Sequence, residues 1–512
     1  MLGNRTPPRL TEFDKQAFDI FVPDDHYLRK AMAAIDWDSF HEVLAPYYSA
    51  DQGRPSDPPV MLLKLEFLRY QYNLSDRQVI ARAKTDLSFR YFLQVDHYHC
   101  LVDPSLLCLF RGRLGRDGFR KVFNQLVGMA REHGLVKDRL RIKDASHVIA
   151  NIAIPATLGL VSQVRDKLLA AAAAFEPVRV EGERVNLELL RQRTEGSNNE
   201  QRLLARVTHL REILSWVDEL LPPEGDANRD WKRLVAQRQV AHKILADQEN
   251  PQAGDRTLST VDPEARRGKH GDWFDGYMVD ILMDADSDLI TQINVLPAGG
   301  NEAQDAIELI RREEDAHGND IEALSIDGAG FNGPMLREVE DPEGLNVNLF
   351  VPVPKEAATK VFTPGDFVED SEEGCVTCPA GNKSRSRRRN RKDTSWVYQF
   401  TRSTCQGCPL LESCMGHLPE HNGRSVHKNG YELEYRRARE KTKTSEYAAV
   451  RTEHPKVERK LGEMLNRHGA RRARYHGLEK VMIQQLMAGL ATNVKRILHL
   501  ESAPTSRVQP AM

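Results

Sequence analysis

Three carboxylates and five thiols are the side chains in this sequence best placed to do chemistry. Asp144 stands in LRIKDASHVIANIAI, Asp327 closes IEALSID just ahead of Gly328 and Gly330, and Glu458 lies in HPKVERKLGEML. Hard divalent cations prefer oxygen ligands, and carboxylates crowded together need a cation to stay ionised. Three such groups at one point would hold two Mg²⁺ or Mn²⁺ ions, an arrangement suited to hydrolysis or transfer at a phosphodiester. Residue type alone leaves plainer readings open. The chain has 74 acidic residues, and an aspartate beside a strand also starts turns. Glu453 and Glu463 compete with Glu458, whose bland role is a solvated helix face.

The cysteines form a second constellation. Cys375-Val-Thr-Cys378 and Cys405-Gln-Gly-Cys408 are paired knuckles, and Cys414 follows six residues later. Four thiolates in this pattern close a tetrahedral structural zinc site with no open position for catalysis. Cys414 is able to replace one of the four, and redox-sensitive or inert thiols are the alternative. Between the knuckles, SRSRRRNRK supplies Arg385, Arg387, Arg388, Arg389, Arg391 and Lys392. The expectation is a flexible cationic loop whose base the metal fixes, touching phosphates rather than reading bases. A solvated loop is the competing view. Trp396, Tyr398 and Phe400 alternate as one strand face, and Cys100 and Cys108 are too isolated for a metal claim.

The surrounding periodicities say what must position these groups. Residues up to about 137 read as helical, with NLSDRQ a turn and cap between two helices and Arg111 and Arg113 on a following helix that suits DNA backbone. The stretch around Asp144 predicts a strand or hairpin, and helices are predicted from about 160 to 248. GDRTLSTVDPEARRGKHGD reads as a polar linker. Beyond it come two strands joined by DADSD, the helix NEAQDAIELIRREEDAHG, a strand ending at Asp327, a short helix at PMLREVED and a strand at NVNLFVPV, the succession of an α/β domain. The C-terminal stretch returns to basic helices.

At 512 residues the chain is long enough for several domains. With 40% hydrophobic and 29% charged residues it has the composition of a folded soluble protein. A formal charge of -2 gives no global case for nucleic acid. The local fields do: between residues 451 and 500 basic residues outnumber acidic ones by 11 to 4. No window reads as a membrane span and the N-terminus lacks a secretory core, so a cytoplasmic, nucleoid-associated protein without a membrane partner is expected.

Taken in order, PPVMLLKLEFLRYQYNLSDRQVIARAKTDLSFRYFLQVD, DPSLLCLFRGRL, IKDASHV, SIDGAGFNG and HPKVERKLGEMLNRHGARRARYHGLEKVMIQQLMAGLATNVKRIL resemble a bacterial insertion-sequence transposase of the DDE type, nearest the IS1182-like group. The resemblance covers most of the chain. It implies an α/β fold with an RNase H-like catalytic core, an N-terminal helical domain, a helical insertion and a cysteine-rich zinc-binding insertion. The expected division is 1–137 for DNA binding or assembly, 138–155 for the first core segment, 156–260 for the helical insertion and 261–365 for the central core. Residues 366–430 would be the cysteine-rich basic insertion, 431–500 the catalytic and DNA-binding helices, and 501–512 a tail.

The resemblance puts the three catalytic acids at Asp144, Asp327 and Glu458, with two Mg²⁺ or Mn²⁺ between them. It implies phosphate contacts at Arg471, Arg472, Arg474 and Lys480. The implied partners are double-stranded DNA at terminal inverted repeats and at a target, with a homodimer in the DNA complex. The family's tyrosine, arginine and trailing basic residue around the glutamate are replaced here by Arg451, His454 and Leu465. A catalytically inactive DNA-binding relative and a nuclease that cuts without joining are the competing functions.

Overall fold

The computed structural model describes residues 1–2, 10–99, 101–222, 228–354, 361–370, 373–390, 395–417 and 421–502. The fold is mixed α/β and divides into two compact units. One takes Met1–Lys137, Asp144–Asn301 and Val457–Met512; the other takes Asp138–Lys143 and Glu302–Lys456.

In the first unit, the helix Pro59–Gln71 is apolar on nearly every side and is buried along most of its length. It carries Glu66 inside, which requires charge partners. Arg69 supplies one at 3.0 Å, and Arg111 of the helix Ser105–Glu132 supplies another. Asp76 closes the network on both arginines. Arg111 is therefore a structural ion-pair residue, although its helix reads as suited to DNA backbone. The expected turn is present: Asn73 takes a positive φ of 52°, and Ser75 caps the next helix in a reciprocal capping box with Gln78.

Helices Thr157–Ala172, Pro177–Arg193, Asn199–Asp218 and Arg229–Glu249 pack around their own apolar cluster, which includes Val164, Leu168, Leu210 and Ile244. The last helix, Leu478–Ser502, is buried on almost all faces. A side chain at Gly489 would meet Ile293 at 2.3 Å, so glycine is what lets this helix lie close to the strand carrying Ile293.

Strand β1 (Arg141–Ile149) starts in the second unit and belongs to the first from Asp144 onward. The chain forms a single strand here rather than a hairpin. In the first unit β2 (Arg266–His270) and β4 (Ile290–Pro297) both pair antiparallel with β3 (Asp272–Asp284). β3 also neighbours β1, and the Ala150 amide donates to the Asp275 carbonyl at 2.9 Å. Gly276, at φ 155°, makes that approach possible, because a Cβ there would stand 2.0 Å from the Val148 carbonyl oxygen. β2 falls in the stretch that reads as a polar linker: RRGKH has no apolar alternation, and beside its ladder bonds Arg267 donates to Asp275 of β3 at 2.8 Å.

In the second unit β5 (Ala323–Ser325) runs parallel to both the start of β1 and β6 (Asn348–Phe350). Helices Glu302–His317 and Gly333–Glu340 precede and follow β5, as parallel connections require. Arg141, fully buried, is held by Glu313 and by Asp138.

The cysteine-rich segment contains a hairpin of β7 (Val368–Asp370) and β8 (Cys375–Thr377) and a three-stranded antiparallel sheet. In that sheet β9 (Ser386–Arg389) forms one edge, β10 (Trp396–Gln399) the centre and β11 (Ser425–Lys428) the other edge. Phe367, Val376, Tyr398, Phe400 and Val426 make its core. Residues 386–389 are thus a paired strand and not a flexible loop. Ladder bonds to β10 satisfy the backbone groups on the inner side of this edge strand, while its arginine side chains are exposed. Arg391 and Lys392 lie outside the described residues.

Candidate functional site

The end of β5 is the best-defined part of the candidate site. Ser325 and Ile326 are buried, and the chain then emerges at the half-buried Asp327. The Asp327 carboxylate accepts from the Ala329 amide at 3.1 Å, capping the tight turn Gly328–Gly330. A Cβ on Gly330 would come within 2.4 Å of the Ile326 side chain, so the turn needs glycine there. Two residues of the same unit grip the strand end. Arg451 Nη1 donates to the Ser325 hydroxyl at 3.1 Å and to the Ile326 carbonyl at 2.9 Å. His454 Nδ1 lies 3.0 Å from the same hydroxyl. Burial, then the Arg451 charge, pushes His454 down to about 4, with Asp327 opposing. The imidazole is neutral at physiological pH. Each of the two has polar atoms turned onto β5.

Asp144 is a half-buried residue of β1. Glu458 stands exposed on the helix Pro455–Arg467, whose other face buries Val457, Leu461, Met464 and Leu465. Leu465 is a core residue. The rivals of Glu458 are occupied. Glu453 pairs with Arg139 and Lys456, and Glu463 pairs with Lys460 and Lys495. No described ion pair engages Glu458.

The basic C-terminal turn divides its labour. Arg471 donates to the Ser146 hydroxyl and the His147 carbonyl at 3.1 and 2.8 Å. Arg474 donates to the Leu74 carbonyl at 2.7 Å and to Asn73, and stacks over Tyr70. Burial lowers the guanidinium pKa of both. Arg472 and Lys480 are exposed. The backbone of 471–473 runs beside the end of β1, with the Ile149 amide donating to Arg471 and its carbonyl accepting from Ala473. A cleft of about 550 Å³ lies between this turn, Asn73, Asn151 and Asn466.

Four of the five clustered cysteines line one small cavity of about 20 Å³: Cys378, Cys405, Cys408 and Cys414. Cys375 is not among them. Its thiol is 3.7 Å from a Glu373 oxygen, and burial, then that carboxylate, raises its pKa. Asp370, Glu373 and Cys375 are the group of described metal-capable residues whose ligand atoms all lie within 4.8 Å of one another. Cys414 thus lines the cavity with Cys378, Cys405 and Cys408, whereas Cys375 does not. On β9 and just before it, Arg385, Arg387, Arg388 and Arg389 are all exposed. Arg387 also lies over Trp396 at 4.6 Å.

The stretch from the cysteine module through Glu458 to the last helix, residues 377–498, matches the family described as Transposase DDE domain. The chain carries a DDE-type transposase domain. Residues 16–113 match a second family, Transposase domain (DUF772), and the two domains are those associated with IS1182-like transposases. Asp144, Asp327 and Cys375 fall outside both matched stretches of the chain. Over 125 residues the chain is 22% identical to "Uncharacterized protein ORF8 in nfe locus" of Rhizobium meliloti, covering 24% of this chain and 60% of that protein. No solved structure matches. No described helix is long and apolar enough to cross a membrane.

Proposed function

We propose that the protein is an active DNA transposase that binds the terminal inverted repeats of a mobile element, cuts at the element ends and joins the 3′ ends to target DNA. The observation that carries this reading is the parallel register of β1 and β5, with Arg141 opposite Leu324 and Ile142 opposite Ser325. Each strand meets an aspartate two residues further on, at Asp144 and Asp327. Two steps along a strand return to the same face, and paired strands lie about 4.8 Å apart. On this reading the two carboxylates would share one metal site. Glu458 follows His454 by about one helical turn, and His454 is tied to Ser325, two residues before Asp327.

The ladders also suit an RNase H-like core. In the first unit β4 pairs antiparallel with β3, which neighbours β1, and in the second the start of β1, β5 and β6 run parallel. The acids fall on β1 and just past β5, followed by Glu458 on a later helix.

Asp144, Asp327 and Glu458 would hold two Mg²⁺ or Mn²⁺. Bound there, the ions lower the pKa of the attacking hydroxyl and neutralise charge growing on the phosphate. In the first reaction a water oxygen bonds to phosphorus at the element end, and the element's 3′ oxygen leaves and takes up a proton. In the second, that 3′ hydroxyl loses its proton, bonds to a target phosphorus and expels the target's own 3′ oxygen. The neutral His454 adds no positive charge beside the acids; with Arg451 it holds the Ser325 end of β5 in position.

Exposed Arg385, Arg387, Arg388, Arg389, Arg472 and Lys480 supply phosphate contacts, with Arg471 and Arg474 shaping the turn beside them. A structural zinc in the cysteine module firms up the basic edge strand. Two element ends held together call for a homodimer on DNA, and the work is on chromosomal DNA in the cytoplasm. The test is an assay with element ends, a target plasmid and Mg²⁺ or Mn²⁺. Joined products are expected. Cleavage without joining makes the protein a nuclease, and binding without cleavage makes it an inactive DNA-binding relative.

A further inference from the structure

We propose that one zinc ion is held by Cys378, Cys405, Cys408 and Cys414, with the half-buried Arg424 as its counter-charge and with Cys375 excluded. The assignment rests on reading the module as a structural metal site and is separate from strand transfer.

The four thiols face a cavity of about 20 Å³, and a site that admits one small species has roughly 10–15 Å³ or more. Its other walls are largely apolar, including Phe367, Phe400, Leu411 and Met415. Water has few partners in such a space, whereas a tetrahedral ion takes all four sulfurs. Local backbone structure places the ligands in pairs. The Cys408 amide donates to the Cys405 carbonyl at 3.2 Å, holding the second knuckle as a turn. The Cys414 amide donates to the Leu410 carbonyl at 2.8 Å, so the short helix Leu411–Met415 returns its thiol to the same cavity. The Cys378 amide and carbonyl close a turn on Asn382 and Gly381, both at 2.8 Å.

Charge supplies the independent observation. A zinc tetrathiolate carries two excess negative charges, which are costly to bury without a cation or hydrogen-bond donors. Arg424 lines this cavity, and its Nε is buried with no hydrogen-bond partner. Its backbone amide donates to the Cys405 sulfur at 3.5 Å. An orphaned guanidinium nitrogen beside four thiols is satisfied once the thiols are thiolates. Gly423 permits the approach, since a Cβ there would stand 2.8 Å from the Cys405 sulfur.

The tighter group of Asp370, Glu373 and Cys375 is the poorer zinc site. Its Glu373 carboxylate is already neutralised by Lys383, and both partners of that pair are exposed. It offers a single sulfur. The four cavity thiols are not all within 4.8 Å of one another, as the ligand atoms of this acidic group are, so they must draw inward around the metal, to about 2.3 Å from zinc.

The test uses the full chain purified anaerobically with a phosphine reductant. Zinc is measured by mass spectrometry and the coordination read from the Co²⁺-substituted absorption spectrum. About one zinc per chain and a tetrathiolate cobalt spectrum are expected. Cys375→Ser should leave both unchanged. Cys378→Ser, Cys405→Ser, Cys408→Ser and Cys414→Ser should each weaken zinc binding at least tenfold. Because a serine variant can fail to fold, Cys414→His provides a ligand in place of the lost thiol: it should retain zinc while the sulfur-to-cobalt charge-transfer band falls by about a quarter. Loss of metal in Cys375→Ser, or an unchanged cobalt spectrum in Cys414→His, overturns the ligand set. A wild-type chain with neither zinc nor cobalt binding overturns the site itself. Asp327→Asn should keep its zinc even where joining is lost, which separates this assignment from the transposase reading.

Discussion

His454 Nδ1 lies 3.0 Å from the Ser325 hydroxyl, which also accepts from Arg451 at 3.1 Å. Two side chains that follow the cysteine module in sequence thus close on the strand end that presents Asp327. Replacing His454 by Ala removes a buried hydrogen bond and leaves the Ser325 hydroxyl with one partner fewer. A loss of about 1–3 kcal/mol of stability is expected. Strand joining should fall more than DNA binding, and His454→Gln should recover part of both. Denaturant titration and a joining assay check this.

The same residue sets a pH dependence. Its folded pKa, about 4, lies below the ordinary 6.5. The folded state therefore disfavours protonation relative to the unfolded chain, and the neutral form's contribution is fully present above about 6.5. It is lost as pH falls from there toward 4. Unfolding measured across that window should lose part of its pH slope in His454→Gln. An identical slope in the two proteins would rule this role out.

Asp144→Asn, Asp327→Asn and Glu458→Gln should each reduce joined product by more than about a hundredfold, since each removes a charged ligand from the proposed two-ion site. Folding and substantial end binding should survive. Circular dichroism and gel-shift measurements separate loss of chemistry from loss of protein.

The neighbouring glutamates give the contrasting result. Glu453 and Glu463 are committed to ion pairs with Arg139, Lys456, Lys460 and Lys495. Glu453→Gln should cost no more than about 1 kcal/mol, because its partners are partly exposed, and it should leave joining nearly intact. If Glu453→Gln abolished joining while Glu458→Gln did not, the third acid would be Glu453.

Replacing Arg385, Arg388 and Arg389 together by Gln should weaken binding to DNA of any sequence. It should also reduce the slope of log affinity against log salt by about 0.9 for each phosphate that is no longer neutralised. Arg387 stays in this variant because its stacking on Trp396 also supports the sheet. An unchanged salt slope would mean that β9 faces solvent rather than DNA.

Much of the architecture is legible in the sequence because local patterns carry it. The 3.6-residue periodicity marks the helices on both sides of Asn73, and Ser75 and Gln78 mark the cap that follows it. The alternation around DADSD marks β3 and β4. β2 escapes such a reading because its residues are polar and show no apolar alternation. The arginine strand β9 looks like a loop for the same reason, since a run of exposed arginines carries no signal of what its amides bond to.

What the sequence determined by itself was the inventory: three separated acids, five clustered thiols, a basic stretch and the order of the elements bearing them. Residue type fixes which ions such groups prefer, wherever they lie. Only the tertiary structure decided the partners. It gave Arg111, Arg471 and Arg474 internal work, bound Glu453 and Glu463 to cations while leaving Glu458 exposed, and set Cys414 rather than Cys375 beside the other thiols. Those choices depend on which distant segments share a surface and where each buried charge finds its counter-charge, and spacing along a chain does not encode either.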